Sequence, residues 1–122
     1  MANDFKRFAQ ASVNTSTGAS ATAVYTTPAG AGSTALESIV IGLMLSNKTS
    51  SDTTVNVFLD NYDGTNDVYL LRSVNLPANT TLEVLQGNKI VLQNSGSAGD
   101  VIRVSAADGS AVDATVSVLE DV

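Results

Sequence analysis

Residues 112–118 read VDATVSV, with an apolar side chain at every second position. Successive side chains of a β-strand point to opposite faces, so this period of two predicts a strand with one buried and one solvated face. Residues 101–106 (VIRVSA) and 55–60 (VNVFLD) repeat the pattern. Strands of this kind are typical of sheets that cover a core with one face only.

Residues 36–46, LESIVIGLMLS, differ because both of their faces are apolar. With strict alternation, one face carries Ile39, Ile41, Leu43 and Leu45, and the other carries Val40, Gly42 and Met44. The strand is therefore expected either to be central and covered on both sides or to face a partner subunit. Gly42 would permit a β-bulge or a close approach of another backbone.

Turn residues divide the chain into about eight short strands. The predicted strands are residues 5–13, 20–27, 36–46, 53–60, 67–74, 80–86 with 89–93, 100–107 and 112–120. Short strands at regular spacing, without helical periodicity, predict an all-β chain. We expect one antiparallel, jelly-roll-like β-sandwich that forms a single domain over residues 1–122.

The composition excludes several chemistries. The 122 residues include no Cys, His or Trp, and the formal net charge is −6. Because Cys and His are missing, the chain cannot form a disulfide, a Cys/His zinc site or a histidine general base. The acidic balance argues against nucleic-acid binding, and no apolar run approaches the length of a membrane span. We expect no enzyme, no cofactor, no nucleic-acid partner, no membrane partner and no leader segment.

The acidic connection between the fourth and fifth strands is a candidate metal site. Asp60, Asp63 and Asp67 could gather around one ion. An EF-hand loop starting at Asp60 fails, because its third and fifth positions are Tyr62 and Gly64. A solvated turn, in which Asp and Asn side chains cap the local backbone, is favoured over the metal site.

Five residues are candidate interface residues: Phe5, Arg7, Phe8, Met44 and Phe58. Phe5 and Arg7 would share one face of the first strand, while Phe8 lies on the other. An ordinary first strand with its aromatic rings in the core is an equal alternative. Phe58 lies on the polar face of its strand, so a second layer or another chain must cover it. We expect Phe58→Asp to leave the fold intact and to weaken assembly.

Short runs along most of the chain resemble small virion structural proteins of tailed bacteriophages, with the nearest likenesses in phages of marine bacteria and cyanobacteria. The runs are NDFKRF (3–8), VYTTPAG (24–30), IGLMLSN (41–47), DVYL (67–70), LPA (76–78), TLEVL (81–85), KIVL (89–92) and GDVIRVS (99–105). The resemblance implies a structural role without catalytic residues.

The resemblance and the composition together predict a capsid decoration or cement protein that bridges capsid subunits. Its partners would be the major capsid protein or other virion proteins, and copies of itself in a symmetric homo-oligomer such as a trimer. It would be made in the bacterial host cytoplasm and carried in the virion. Two alternatives stay open: a neck, collar or tail component, and a calcium- or glycan-binding fibre module.

Overall fold

The computed structural model describes residues 3–64 and 67–121, and these form nine β-strands with one short 3-10 helix, Gly18–Ser20. The strands are β1 (Asn3–Gln10), β2 (Thr22–Thr26), β3 (Leu36–Asn47), β4 (Thr53–Asp60), β5 (Asp67–Leu76), β6 (Thr81–Glu83), β7 (Ile90–Asn94), β8 (Val101–Ala106) and β9 (Val112–Asp121). Seven of the eight predicted strands are confirmed with shifts at their ends, but the sixth, residues 80–86 with 89–93, is two separate strands, β6 and β7.

The strands form two antiparallel sheets. Sheet A has the order β1-β9-β3-β6, with β7 also paired to β3, and sheet B has the order β2-β8-β4-β5. Strands pair from the ends of the chain inward: β1 with β9, β2 with β8, β3 with β6 and β7, and β4 with β5. This is one long hairpin rolled into two layers, the topology of a jelly roll. The predicted all-β sandwich is therefore confirmed.

The core lies between the inner faces of the two sheets. On β9 the inward positions follow the alternation read from the sequence, and each is buried. The buried side chains of sheet A include Val40, Leu43, Leu45, Leu92, Val112, Ala114, Val116 and Val118, and those of sheet B include Val24, Val55, Val57, Ile102 and Val104. Removing these side chains from water supplies the main driving force for folding.

A β-bulge in β3 changes which residues face the core. The register against β9 shifts between Val40 and Gly42, so one extra residue is inserted and the alternation changes phase. The inward side chains are Val40, Leu43 and Leu45, and the outward ones are Ile39, Ile41 and Met44. The prediction of a single alternation through this strand is therefore wrong, and of the two features that Gly42 would permit the structure shows the bulge.

Candidate interaction surface

A row of apolar side chains crosses the outer face of sheet A. Phe5 of β1 lies opposite Leu119 of β9, which lies opposite Ile39 of β3, which lies opposite Val91 of β7. Directly opposite residues in antiparallel strands have Cβ atoms about 5 Å apart, so the four side chains adjoin. Phe5 is 77% exposed and Val91 is 58% exposed. We call these four residues the apolar row.

Two further apolar side chains of β3 lie on the same outer face. Ile41, at the bulge, and Met44 are both exposed. Polar residues border them: Met44 lies opposite Glu83 on one side and Thr115 on the other. Contiguous apolar surface with a polar border is typical of interaction sites rather than of free protein surface. The β3 strand is thus central in its sheet, covered on its inner face and bare on its outer face.

The first strand distributes its side chains as the alternation predicts. Phe5 and Arg7 lie on the outer face of sheet A, opposite Leu119 and Ser117. Phe8 points to the inner side, where its ring lies 4.9 Å from that of Tyr25 between ring centroids. Of the predicted interface residues, Phe5, Arg7 and Met44 therefore share one exposed face, while Phe8 packs against the core.

Phe58 is buried by neighbours in its own chain, so of the two alternatives read from the sequence, cover by another chain is not the one observed. It lies on the outer face of sheet B but is only 2% exposed. The ring of Tyr69 packs on it with 4.7 Å between centroids, and the guanidinium of Arg72 lies 5.1 Å from the Tyr69 centroid. The 3-10 helix Gly18–Ser20 also contacts β4. The chain itself covers Phe58, since Tyr69 lies directly opposite it on the neighbouring strand β5, and Phe58 offers almost no area to a partner.

The acidic connection after β4 is organised by an ion pair. Arg103 donates from Nε to Asp60 Oδ2 at 2.8 Å and from Nη1 to the carbonyl of Ala21 at 3.0 Å. Asp60 is therefore already paired with a cation. The side chain of Asp67 lies outside the described residues. Within residues 3–64 and 67–121, three or more potential metal ligands do not come together, Asp63 included.

A buried polar network fastens β1 to both sheets, and the sequence reading missed it. Glu120 is 2% exposed; Lys6 Nζ lies 2.9 Å from its Oε1, and the Tyr25 hydroxyl donates to its Oε2 at 2.6 Å. The Lys6 ammonium compensates the charge of this buried carboxylate. The Tyr25 hydroxyl also lies 2.9 Å from Ser38 Oγ. The sequence does contain a signal for the network, because Glu120 continues the inward alternation of β9 and a buried carboxylate requires polar partners.

This network shifts two titrations in the same direction. Burial first, and then the hydrogen bond to Glu120, raises the pKa of Tyr25 well above its ordinary range. The hydrogen bond and charge of Glu120 raise the pKa of Lys6. Both groups thus hold their protons more tightly in the folded chain. The network links β1 and β9 of sheet A to β2 of sheet B, so it holds the two sheets together.

A shallow pocket of about 230 Å³ lies at one end of the sandwich. Its lining includes Glu37, Tyr62 and Gln93. The buried carboxylate of Asp100 accepts hydrogen bonds from the backbone N–H groups of Tyr62 and Gln93, at 2.8 and 2.9 Å. Ligand pockets are usually larger and gather several convergent polar groups. Here the carboxylate of Asp100 joins the connection after β4, through Tyr62, to strand β7, through Gln93.

Comparison of the chain with protein-family models, with curated proteins and with solved structures gave no match. Across residues 3–64 and 67–121, no helix has the length and hydropathy that a membrane span requires.

Proposed function

We propose that this chain is a non-catalytic structural protein of a tailed-phage virion that decorates the capsid and bridges its subunits. The apolar row carries the proposal, because it is a surface suited to packing against protein. The resemblance of the sequence runs to phage virion proteins supports the assignment to a virion. Jelly rolls are common among viral structural domains, which agrees with the proposal without fixing it.

The apolar row is suited to a flat protein partner. It extends across four strands instead of lining a cleft, so it offers a planar surface of neighbouring side chains. Phe5 and Val91, at its two ends, are its most exposed members. Aromatic and aliphatic side chains at the centre of an interface supply most of the binding energy, and a polar border excludes water. Repeated over a symmetric particle, moderate contacts of this type add to a large avidity.

The virion role is tested by locating and counting the chain in purified particles. Quantitative mass spectrometry with cryo-electron microscopy should find hundreds of copies over the head. About a dozen copies at the neck or tail would replace the decoration role with the neck or tail role, since ring symmetry limits the number. Absence of the chain from intact particles would overturn the virion assignment.

The role of sheet A is tested with a matched pair of variants. Val91→Asp places a charge in the apolar row, and Val68→Asp places one at an exposed position of β5 in sheet B, where Val68 is 44% exposed. Val91→Asp should abolish binding to particles that lack the chain, and Val68→Asp should bind like the wild type. Equal binding by both variants would show that sheet A is not the docking face.

A further inference from the structure

We propose that the free edge of β1 pairs with the β1 strand of a second copy, in one register centred on Phe5. In the described chain β1 pairs with β9 along one edge, and no strand pairs with its other edge. Residues 4–7 of this strand are exposed. A free edge presents unpaired N–H and C=O groups that another strand can satisfy. The dimer extends the proposed function by naming a partner.

The pattern of charges selects the register. A two-fold axis normal to the sheet places outward residues opposite outward residues, so each register is centred on one residue that faces its own copy. Centring on Asp4, Lys6 or Arg7 brings two identical charges face to face. Like charges directly opposite each other destabilise strand pairing. Three of the four registers available within the Asp4–Arg7 segment are thus disfavoured.

Centring on Phe5 produces the opposite result. Asp4 of each copy then lies opposite Lys6 of the other, which creates two unlike charge pairs, and the two Phe5 rings meet at the axis. Lys6 can take part, because its side chain is 45% exposed while its ammonium holds Glu120. The edge of β1 is therefore complementary to itself in this register and repels itself in the three registers centred on Asp4, Lys6 and Arg7. That self-complementarity points to a second copy of this chain as the occupant.

The same register joins the two apolar rows. Phe5 is the end member of the apolar row on β1, so the Phe5 contact at the axis places the two rows end to end. The resulting stripe runs across eight strands, four from each copy, on one surface of the dimer. Binding of a virion subunit to sheet A and pairing through the β1 edge are then compatible, since one uses the face and the other the edge.

Site-specific cross-linking tests the register on the full chain. The sequence has no Cys, so each single variant carries one thiol. Phe5→Cys places the two thiols opposite each other at the axis, within reach of a disulfide. The control is Arg7→Cys, which lies on the same outer face of β1. In the proposed register the two residues at position 7 are about 13 Å apart, too far for a disulfide.

Under mild oxidation Phe5→Cys should convert to a covalent dimer and Arg7→Cys should stay monomeric. The reverse result, or equal cross-linking of both, would overturn the register. A wild-type chain that sediments as a monomer up to high concentration, together with absent cross-linking, would overturn the dimer itself. Sedimentation as a trimer would also overturn it, because a two-fold contact closes at two copies. Failure of the register or of the dimer leaves the virion assignment untouched, because that assignment is tested by finding the chain in purified particles.

Charge reversal gives a second, independent readout. Asp4→Lys turns both proposed attractions into repulsions and should raise the dimer dissociation constant roughly tenfold or more. Asp108→Lys changes the net charge equally, but in the turn between β8 and β9, and should leave the constant unchanged. High salt screens both kinds of interaction, so it should weaken the wild-type dimer and strengthen pairing of the Asp4→Lys chain. Equal effects of the two variants would contradict the proposed pairing.

Discussion

The outer faces of both sheets carry phenylalanine side chains, but these differ in solvent exposure: Phe58 on sheet B is buried and Phe5 on sheet A is exposed. On sheet B, Phe58 is covered by Tyr69, and Arg103 is tied to Asp60 and to the carbonyl of Ala21. On sheet A, Phe5 and Val91 at the ends of the apolar row are exposed, while Ile39 and Leu119 between them are half-buried. An apolar residue at an outward position therefore does not by itself indicate an interface. What separates the two cases is whether neighbouring side chains of the same chain cover the residue.

The largest expected effect is on the covered face. Phe58→Ala removes a ring packed between its neighbours and should lower the free energy of unfolding by about 3–5 kcal/mol. Urea unfolding monitored by circular dichroism measures the change. Phe5→Ala is the matched control, since it removes the same ring from the bare face. If the two variants lose equal stability, the distinction between the faces is wrong.

A smaller effect is expected where the two sheets are linked. Tyr25→Phe deletes the hydroxyl that donates to Glu120 and should cost about 2 kcal/mol, because hydrogen bonds to buried charged groups are the strong ones. Urea unfolding near neutral pH measures it. The exposed ring of Tyr62 supplies the control, and Tyr62→Phe should leave stability unchanged. A Tyr25→Phe chain as stable as the wild type would show that the hydroxyl contributes nothing.

The same link predicts an alkaline loss of stability. The pKa of Tyr25 is raised above its ordinary value of 10.0, so the unfolded chain releases that proton first as the pH rises. The contribution is complete below pH 10.0 and is lost as the pH climbs toward the folded value. The raised pKa of Lys6 acts in the same direction. Urea midpoints measured from neutral to strongly alkaline pH should fall less steeply in Tyr25→Phe than in the wild type.

The ion pair on sheet B should contribute modestly. Arg103 and Asp60 are about four-fifths buried, and Asp60→Asn should lower the free energy of unfolding by about 1 kcal/mol. Added calcium should leave the wild-type unfolding midpoint unchanged. A midpoint that rises with calcium in the wild type, but not in Asp60→Asn, would restore the metal-binding interpretation of the acidic connection.

The smallest effect on stability is expected at the bare face. Phe5→Asp should change the free energy of unfolding by less than about 0.5 kcal/mol, because the side chain is 77% exposed. The same variant should lose binding to particles and pairing of β1. Dilute samples are needed, since a dimer would add stability that depends on concentration. A large loss of stability in the monomer would show that Phe5 is part of the core.

Alternation was sufficient to predict the strands and the layered architecture, because a half-buried strand repeats every two residues. It could not predict what covers Phe58, because alternation within one strand does not give the register that places Tyr69 of β5 directly opposite it. It also failed at the bulge in β3, where one inserted residue reverses the faces that follow. For the apolar row, each member could be read from its own strand, but the registers that align four strands could not.

The pairing of β1 with β9 has a consequence for how the molecule is made. Asp4 lies opposite Glu120, so the strand nearest the start of the chain is placed by the last one described. Contacts of such long sequence separation form late and slow folding. During synthesis β1 cannot pair until β9 is available. The contacts among Lys6, Tyr25 and Glu120 form only after β9 has left the ribosome. The β1 edge that would join two copies is therefore completed only when β9, which also supplies core side chains, has joined sheet A.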